Sequence, residues 1–81
     1  MTVLLFGITR DIVGEGSLLI ADAKSLRVQT VGDLKAQLIT DYPELGKLSS
    51  LAVAVNQHYA SDSDPVKASD EIALIPPVSG G

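Results

Sequence analysis

The amino-acid sequence predicts the α+β class, with a mixed sheet of about five strands wrapped on one main helix. Three observations predict it. Dense apolar runs of strand length stand near both ends, at residues 3–6 and 72–75, with a third at residues 51–55. A single long stretch with helical spacing lies between them, from residue 30 to about residue 42. The chain has 81 residues, room for one domain and no second one.

Val3, Leu4, Leu5 and Phe6 form a continuous apolar run, which suits a strand buried on both faces in the middle of a sheet. Gly7 breaks it. Residues 8–13 read as a short helical turn, with Ile8, Ile12 and Val13 on one side and Arg10 and Asp11 on the other. Gly14-Glu15-Gly16 ends the turn, since glycine adopts the left-handed stop most cheaply. Residues 17–21 fit a second strand, hairpinned against the first. Residues 24–28 are a rival for that strand, and the pattern leaves the choice open.

Thr30 opens the clearest helix. Its hydroxyl can cap the first-turn amides, and Asp33 puts negative charge beside the positive end of the helix dipole. Val31, Leu34, Leu38 and Ile39 follow at helical spacing as one apolar face. The helix stops near Tyr42 because Pro43 disfavours a helical residue before it. Residues 44–50 connect to the strand at 51–55, and Asn56-Gln57 makes the turn after it. Residues 58–60 form a short strand, residues 61–65 a polar loop, Ser69-Asp70 a turn, and residues 71–75 the last strand. The first and last strands should lie side by side in the centre. Two hairpins around one amphipathic helix make a β-grasp arrangement, expected over residues 1–76 with 77–81 as a projecting tail.

Composition removes several functions. A domain this small buries only roughly 60% of its unfolded surface, so the apolar fraction of 46% must supply the stability. Cysteine is absent, which excludes a disulfide framework, a thiolate metal site and a thiol nucleophile. One histidine cannot make a zinc site alone. The net charge is −4, and the six basic residues are scattered, whereas nucleic acid wants a basic stripe. No apolar run approaches the ~20 residues of a membrane span, and residues 3–6 are too few for the core of a signal peptide. A cytoplasmic location is the simplest expectation.

The internal motifs are weak. His58 beside a short strand lacks the nucleophile and orienting partner of a catalytic set. Gly14-Glu15-Gly16 begins like a dinucleotide fingerprint, but Leu19 stands where the third glycine belongs. Asp62 and Asp64 start like a calcium loop, but Ala73 occupies the bidentate twelfth place. These carboxylates read as solvated loop residues.

The tail is different. Pro76 and Pro77 fix φ and donate no amide, so the chain must leave the sheet there as a stiff, extended arm. Val78 and Ser79 follow, and then flexible Gly80 and Gly81 with almost no bulk, a shape that can thread a narrow pocket. A frayed terminus is the ordinary alternative. At the tip the expected group is the α-carboxylate of Gly81, ionised at neutral pH because its reference pKa is about 3.3–3.7. A carboxylate is a poor electrophile until it is activated, for example as an acyl adenylate made from ATP. Nothing else in the chain can supply that activation, so a partner enzyme is implied.

Leu4-Leu5-Phe6-Gly7, Arg10-Asp11-Ile12-Val13-Gly14, Ala54-Val55-Asn56 and the run from Asp70 through Pro76-Pro77-Val78-Ser79-Gly80-Gly81 resemble the ubiquitin-like sulfur carriers, and within them the small subunits of molybdopterin synthases. Ser69 departs from the glycine common before the Asp-Glu pair, and residues 21–29 are somewhat long. The resemblance implies that a ubiquitin-E1-like enzyme adenylates Gly81 with ATP and that sulfur transfer makes it a thiocarboxylate. The carrier would then insert its tail into the large synthase subunit and donate sulfur to cyclic pyranopterin monophosphate, building the molybdopterin dithiolene. It implies a heterotetramer of small and large subunits, no catalytic residues in this chain, and no permanently bound cofactor.

By position, Phe6, Tyr59 and Ile75 match an apolar docking surface used in that family, extended by the tail residues Pro76, Pro77, Val78 and Ser79. From the residues alone, Phe6 fits plain core equally well, while Tyr59 on a short outer strand suits a half-buried contact. A mean hydropathy of +0.29 also fits an apolar patch covered by a partner. The alternatives are a carrier for thiamine or tRNA thiolation, a ubiquitin-like modifier joined to lysines, and an interaction module with an inert tail.

Overall fold

The computed structural model describes residues 1–20, 27–48 and 50–76. In chain order these form β1 (Thr2–Leu5), α1 (Gly7–Val13), β2 (Ser17–Leu19), α2 (Val31–Asp41), a 3₁₀ helix (Pro43–Lys47), β3 (Ala52–Val55), β4 (His58–Ala60) and β5 (Glu71–Ile75). The strands make one sheet in the order β2-β1-β5-β3-β4. β1 and β5 run parallel at its centre, and the other neighbours are antiparallel. This is the expected β-grasp arrangement. The second strand falls at Ser17–Leu19, and most of the rival at 24–28 lies outside the described residues.

Each element has a local cause. Thr30 is the N-cap of α2, and its hydroxyl accepts the Asp33 N–H at 3.2 Å. The Asp33 carboxylate reaches back to accept the amides of Gln29 at 3.1 Å and Thr30 at 3.2 Å. Those bonds favour the ionised form and hold the Asp33 pKa below its ordinary value. The two first-turn amides that remain, Val31 and Gly32, donate to the carbonyls of Asp64 and Asp62 at 2.9 and 2.8 Å. The loop at 61–65 therefore closes the helix start. The β3–β4 turn holds Asn56 and Gln57 at φ 52° and 70°, the left-handed pair that a two-residue hairpin needs. The Asn56 side chain ties this turn to β5, accepting the Glu71 N–H at 2.9 Å and donating to Asp70 at 3.1 Å.

The core lies between α2 and one face of the sheet. Val31, Leu34 and Leu38 of the helix are sealed against Val3, Leu5, Val53, Ile72 and Leu74, with Leu45 closing the end. Here the structure corrects a reading of the central strand. The run at residues 3–6 is not buried on both faces: Val3 and Leu5 are buried, Leu4 is half-buried, and Thr2 and Phe6 are exposed. α2 covers one face only, and an alternating strand then keeps one set of side chains dry. α1 departs from expectation as well. Ile8 points to solvent, while Thr9 is fully buried.

Candidate functional site

The uncovered face of the sheet follows from strand register. Antiparallel and parallel pairing place Ser17, Leu4, Ala73, Ala54 and Tyr59 in one row across all five strands. The next row on the covered side, Leu5, Leu74, Val53 and Ala60, points into the core. On the uncovered side, Ile75 pairs with Ala52 one step nearer the end of β5. Phe6 keeps an extended backbone (φ −134°, ψ 151°), so it follows Leu5 to the opposite face and sits beside Ile75 at that same end.

The result is a floor of small apolar side chains with large ones at its margins. Phe6 is 49% exposed and Tyr59 77% exposed. Ala52, Ala54, Ala73 and Ile75 are half-buried between them. Exposure excludes the reading of Phe6 as plain core. Tyr59 stands on the edge strand, two strands from β5, roughly 10 Å across the sheet. Ile75, Phe6 and Tyr59 are thus on one face, with the first two adjacent and Tyr59 apart.

Pro76 is half-buried beside Gly7, directly after Ile75, so the chain leaves β5 at the Phe6 end of this face. Pro77, Val78, Ser79, Gly80 and Gly81 lie outside the described residues. A shallow depression lined by Thr2, Leu4, Ala68, Ser69, Asp70 and Glu71 opens on the same face. It sits at the start of β5, about 13 Å along the strand from Ile75, and so away from the exit.

The polar side chains of this face include those around that depression, Thr2, Ser69, Asp70 and Glu71, away from the exit. His58 is exposed on the edge strand, and its ladder partner is Val55. Among the described residues no group of His, Asp and Glu is placed to hold a metal ion, and no helix is long and apolar enough to cross a membrane. The site offers apolar contact area and a chain exit. Two of its contributors carry no mark in the hydropathy pattern. Leu4 reads as core, and Ala73 as filler, until strand alternation and the single covering helix are taken together.

A model of the ThiS family matches residues 3–81. The molybdopterin synthase sulfur carrier subunit of Arabidopsis thaliana is 36% identical over 80 residues, which span 98% of this chain and 80% of that protein. Among solved structures, SAMP1 (small archaeal modifier protein 1) from Haloferax volcanii superposes with a TM-score of 0.75 at 28% identity, covering 99% of this chain and 97% of that one. A chain from the protein–protein complex of subunits 1 and 2 of the molybdopterin-converting factor of Helicobacter pylori superposes with a TM-score of 0.62 at 28% identity, covering 99% and 96%.

Proposed function

The chain belongs to the ThiS family, and from that premise we propose that it is a sulfur carrier of molybdenum cofactor biosynthesis, the small non-catalytic subunit of a molybdopterin synthase. The observation that carries the reading is the family match, which runs through Pro76-Pro77-Val78-Ser79-Gly80-Gly81 to residue 81. The Arabidopsis relative's name supports the pathway, and the Helicobacter complex supports a large subunit as partner.

Gly81 is the reacting residue. Its carboxylate oxygen attacks the α-phosphate of ATP on a ubiquitin-E1-like enzyme, forming an acyl adenylate and releasing pyrophosphate. A sulfur donor then displaces AMP, leaving a thiocarboxylate. On the large subunit the sulfur passes to cyclic pyranopterin monophosphate, and water restores the carboxylate. Gly80 gives the tail the slimness to enter the partner's active site, at a cost in ordering entropy. ATP serves the activating enzyme and is not held by this chain.

Docking falls to the uncovered face. Burying a large apolar side chain such as Phe6 is worth about 1.5–3 kcal/mol, and Tyr59 adds a phenol that suits a half-wet rim. With Ile75 at the exit, an enzyme gripping this face also receives the tail. Pro76, the last residue of the domain, and Pro77, Val78 and Ser79 after it are the residues assigned to contact the partner between the docking face and Gly81.

A second reading, a protein modifier joined through Gly81 to lysines, is favoured by the likeness to the Haloferax protein. Both begin with the same adenylate. Intact-mass spectrometry after incubation with activating enzyme, ATP and a sulfur donor separates them. Replacement of one oxygen by sulfur is the expected result. Isopeptide-linked products with no such mass change would overturn the carrier reading in favour of the modifier.

A further inference from the structure

Building on the sulfur-carrier reading, we propose that Gly7 and Thr9 are positioning residues that hold Pro76, the point at which the chain leaves the domain, in place against the start of α1. Phe6 is extended, and the very next residue, Gly7, turns to φ +56°. The backbone therefore changes direction within one residue at the start of α1. The Phe6 side chain points outward and cannot hold that corner. Thr9 does. Its fully buried hydroxyl donates to the Phe6 carbonyl at 2.6 Å and accepts the Phe6 N–H at 3.1 Å. The Thr9 amide donates to the same carbonyl at 3.2 Å. Both polar groups of Phe6 are thus tied to one side chain, which is itself immobilised by packing.

The corner presents Gly7 to Pro76 at close range. A Cβ on Gly7 would lie 3.2 Å from Pro76 Cγ, inside the optimal carbon separation of about 3.5–4.0 Å. A side chain is disfavoured here on two independent grounds: its Cβ would make the Pro76 ring give by a few tenths of an ångström, and the positive φ strains any residue that has one. Pro76 has its own φ fixed. A rigid ring resting on a hydrogen-bonded corner fixes the point from which the tail starts. Catalysis in a partner's chamber is sensitive to such placement, since a misplacement of about 1 Å can cost roughly a hundredfold in rate. A buried threonine is invisible to a hydropathy reading, but at this corner valine would fill the same space and leave the Phe6 N–H without an acceptor.

The test uses the full-length chain with Thr9→Val, Thr9→Ser and Gly7→Ala. Four quantities are read: the thermal midpoint, affinity for the large synthase subunit by calorimetry, the single-turnover rate of sulfur transfer, and the nuclear Overhauser contact between Gly7 Hα and the Pro76 ring. Thr9→Val should weaken that contact and slow transfer roughly tenfold, with affinity falling less than rate. Thr9→Ser, which keeps the hydroxyl, should restore both. Gly7→Ala should slow transfer at least as much as Thr9→Val. An unchanged contact and rate in Thr9→Val overturns the proposal. So does a loss of rate that merely tracks the thermal midpoint across all three variants. If the unsubstituted chain transfers no sulfur, the carrier reading fails by itself. The Overhauser contact then still decides the positioning role, and its persistence in Thr9→Val rejects it.

Discussion

On the helix side of the sheet, Leu5, Leu74 and Val53 are sealed at 2%, 0% and 0% exposure. One residue along the same strands, Leu4, Ala73 and Ala54 stay half-buried on the other side, and their row ends on Tyr59 at 77%. The two faces share a backbone, a register and an apolar character. They differ in what lies above them: α2 on one, no described element on the other. Apolar residues under the helix stabilise the fold in full, whereas those on the bare face gain the rest of their burial free energy only if something covers them. The chain leaves β5 on the margin of the bare face, so a partner that covered this face, as proposed, would also meet the exit.

Substitutions that separate stability from binding sharpen this contrast. The largest effect belongs to the covered face. Leu34→Ala, at a fully buried position, should cost about 2–5 kcal/mol in urea unfolding, as large-to-small core changes do. Its effect on partner binding should follow only from lost folded protein. Next comes Tyr59→Asp on the bare face, which should weaken large-subunit binding by about 2 kcal/mol while scarcely lowering the thermal midpoint. Titration calorimetry beside thermal melts reads both, and the reverse order would erase the division between the faces.

Smaller effects come from the start of α2. Thr30→Ala removes the hydroxyl that caps Asp33 N–H and should cost about 1 kcal/mol of stability, leaving binding untouched. Asp33 adds a pH signature. The amides of Gln29 and Thr30 lower its folded pKa, so the ionised carboxylate stabilises the fold above the ordinary carboxylate range. That contribution shrinks as pH falls from the unfolded value through the lower folded one. Asp33→Asn should therefore be less stable than the parent at neutral pH, and the gap should close on acidification. A gap that persists to low pH would assign the effect to something other than charge.

Much of this architecture was legible in the sequence. The capping pair Thr30 and Asp33, the stop at Pro43 and the Asn56-Gln57 turn are local signals, and each acts through backbone hydrogen bonds or fixed dihedrals within a few residues. The rest depends on what stacks on what. Val3-Leu4-Leu5-Phe6 reads as uniformly core because composition cannot say that one helix covers one face. Ile8 leaves its expected apolar side for solvent, and Thr9 is buried next to it with its hydroxyl bonded to the Phe6 backbone, which lets a polar residue be buried without penalty. At the site, the exit at Pro76 could be seen in the residues. The floor of Ala52, Ala54 and Ala73 could not, since alanine carries no pattern until register places three of them side by side.

The central claim is that the folded body and the reactive end are separable. Deleting Gly81 and measuring thermal midpoint and sulfur transfer on the same preparation tests it most directly. The expected result is an unchanged midpoint with transfer abolished. Transfer at the parental rate by the shortened chain would contradict it.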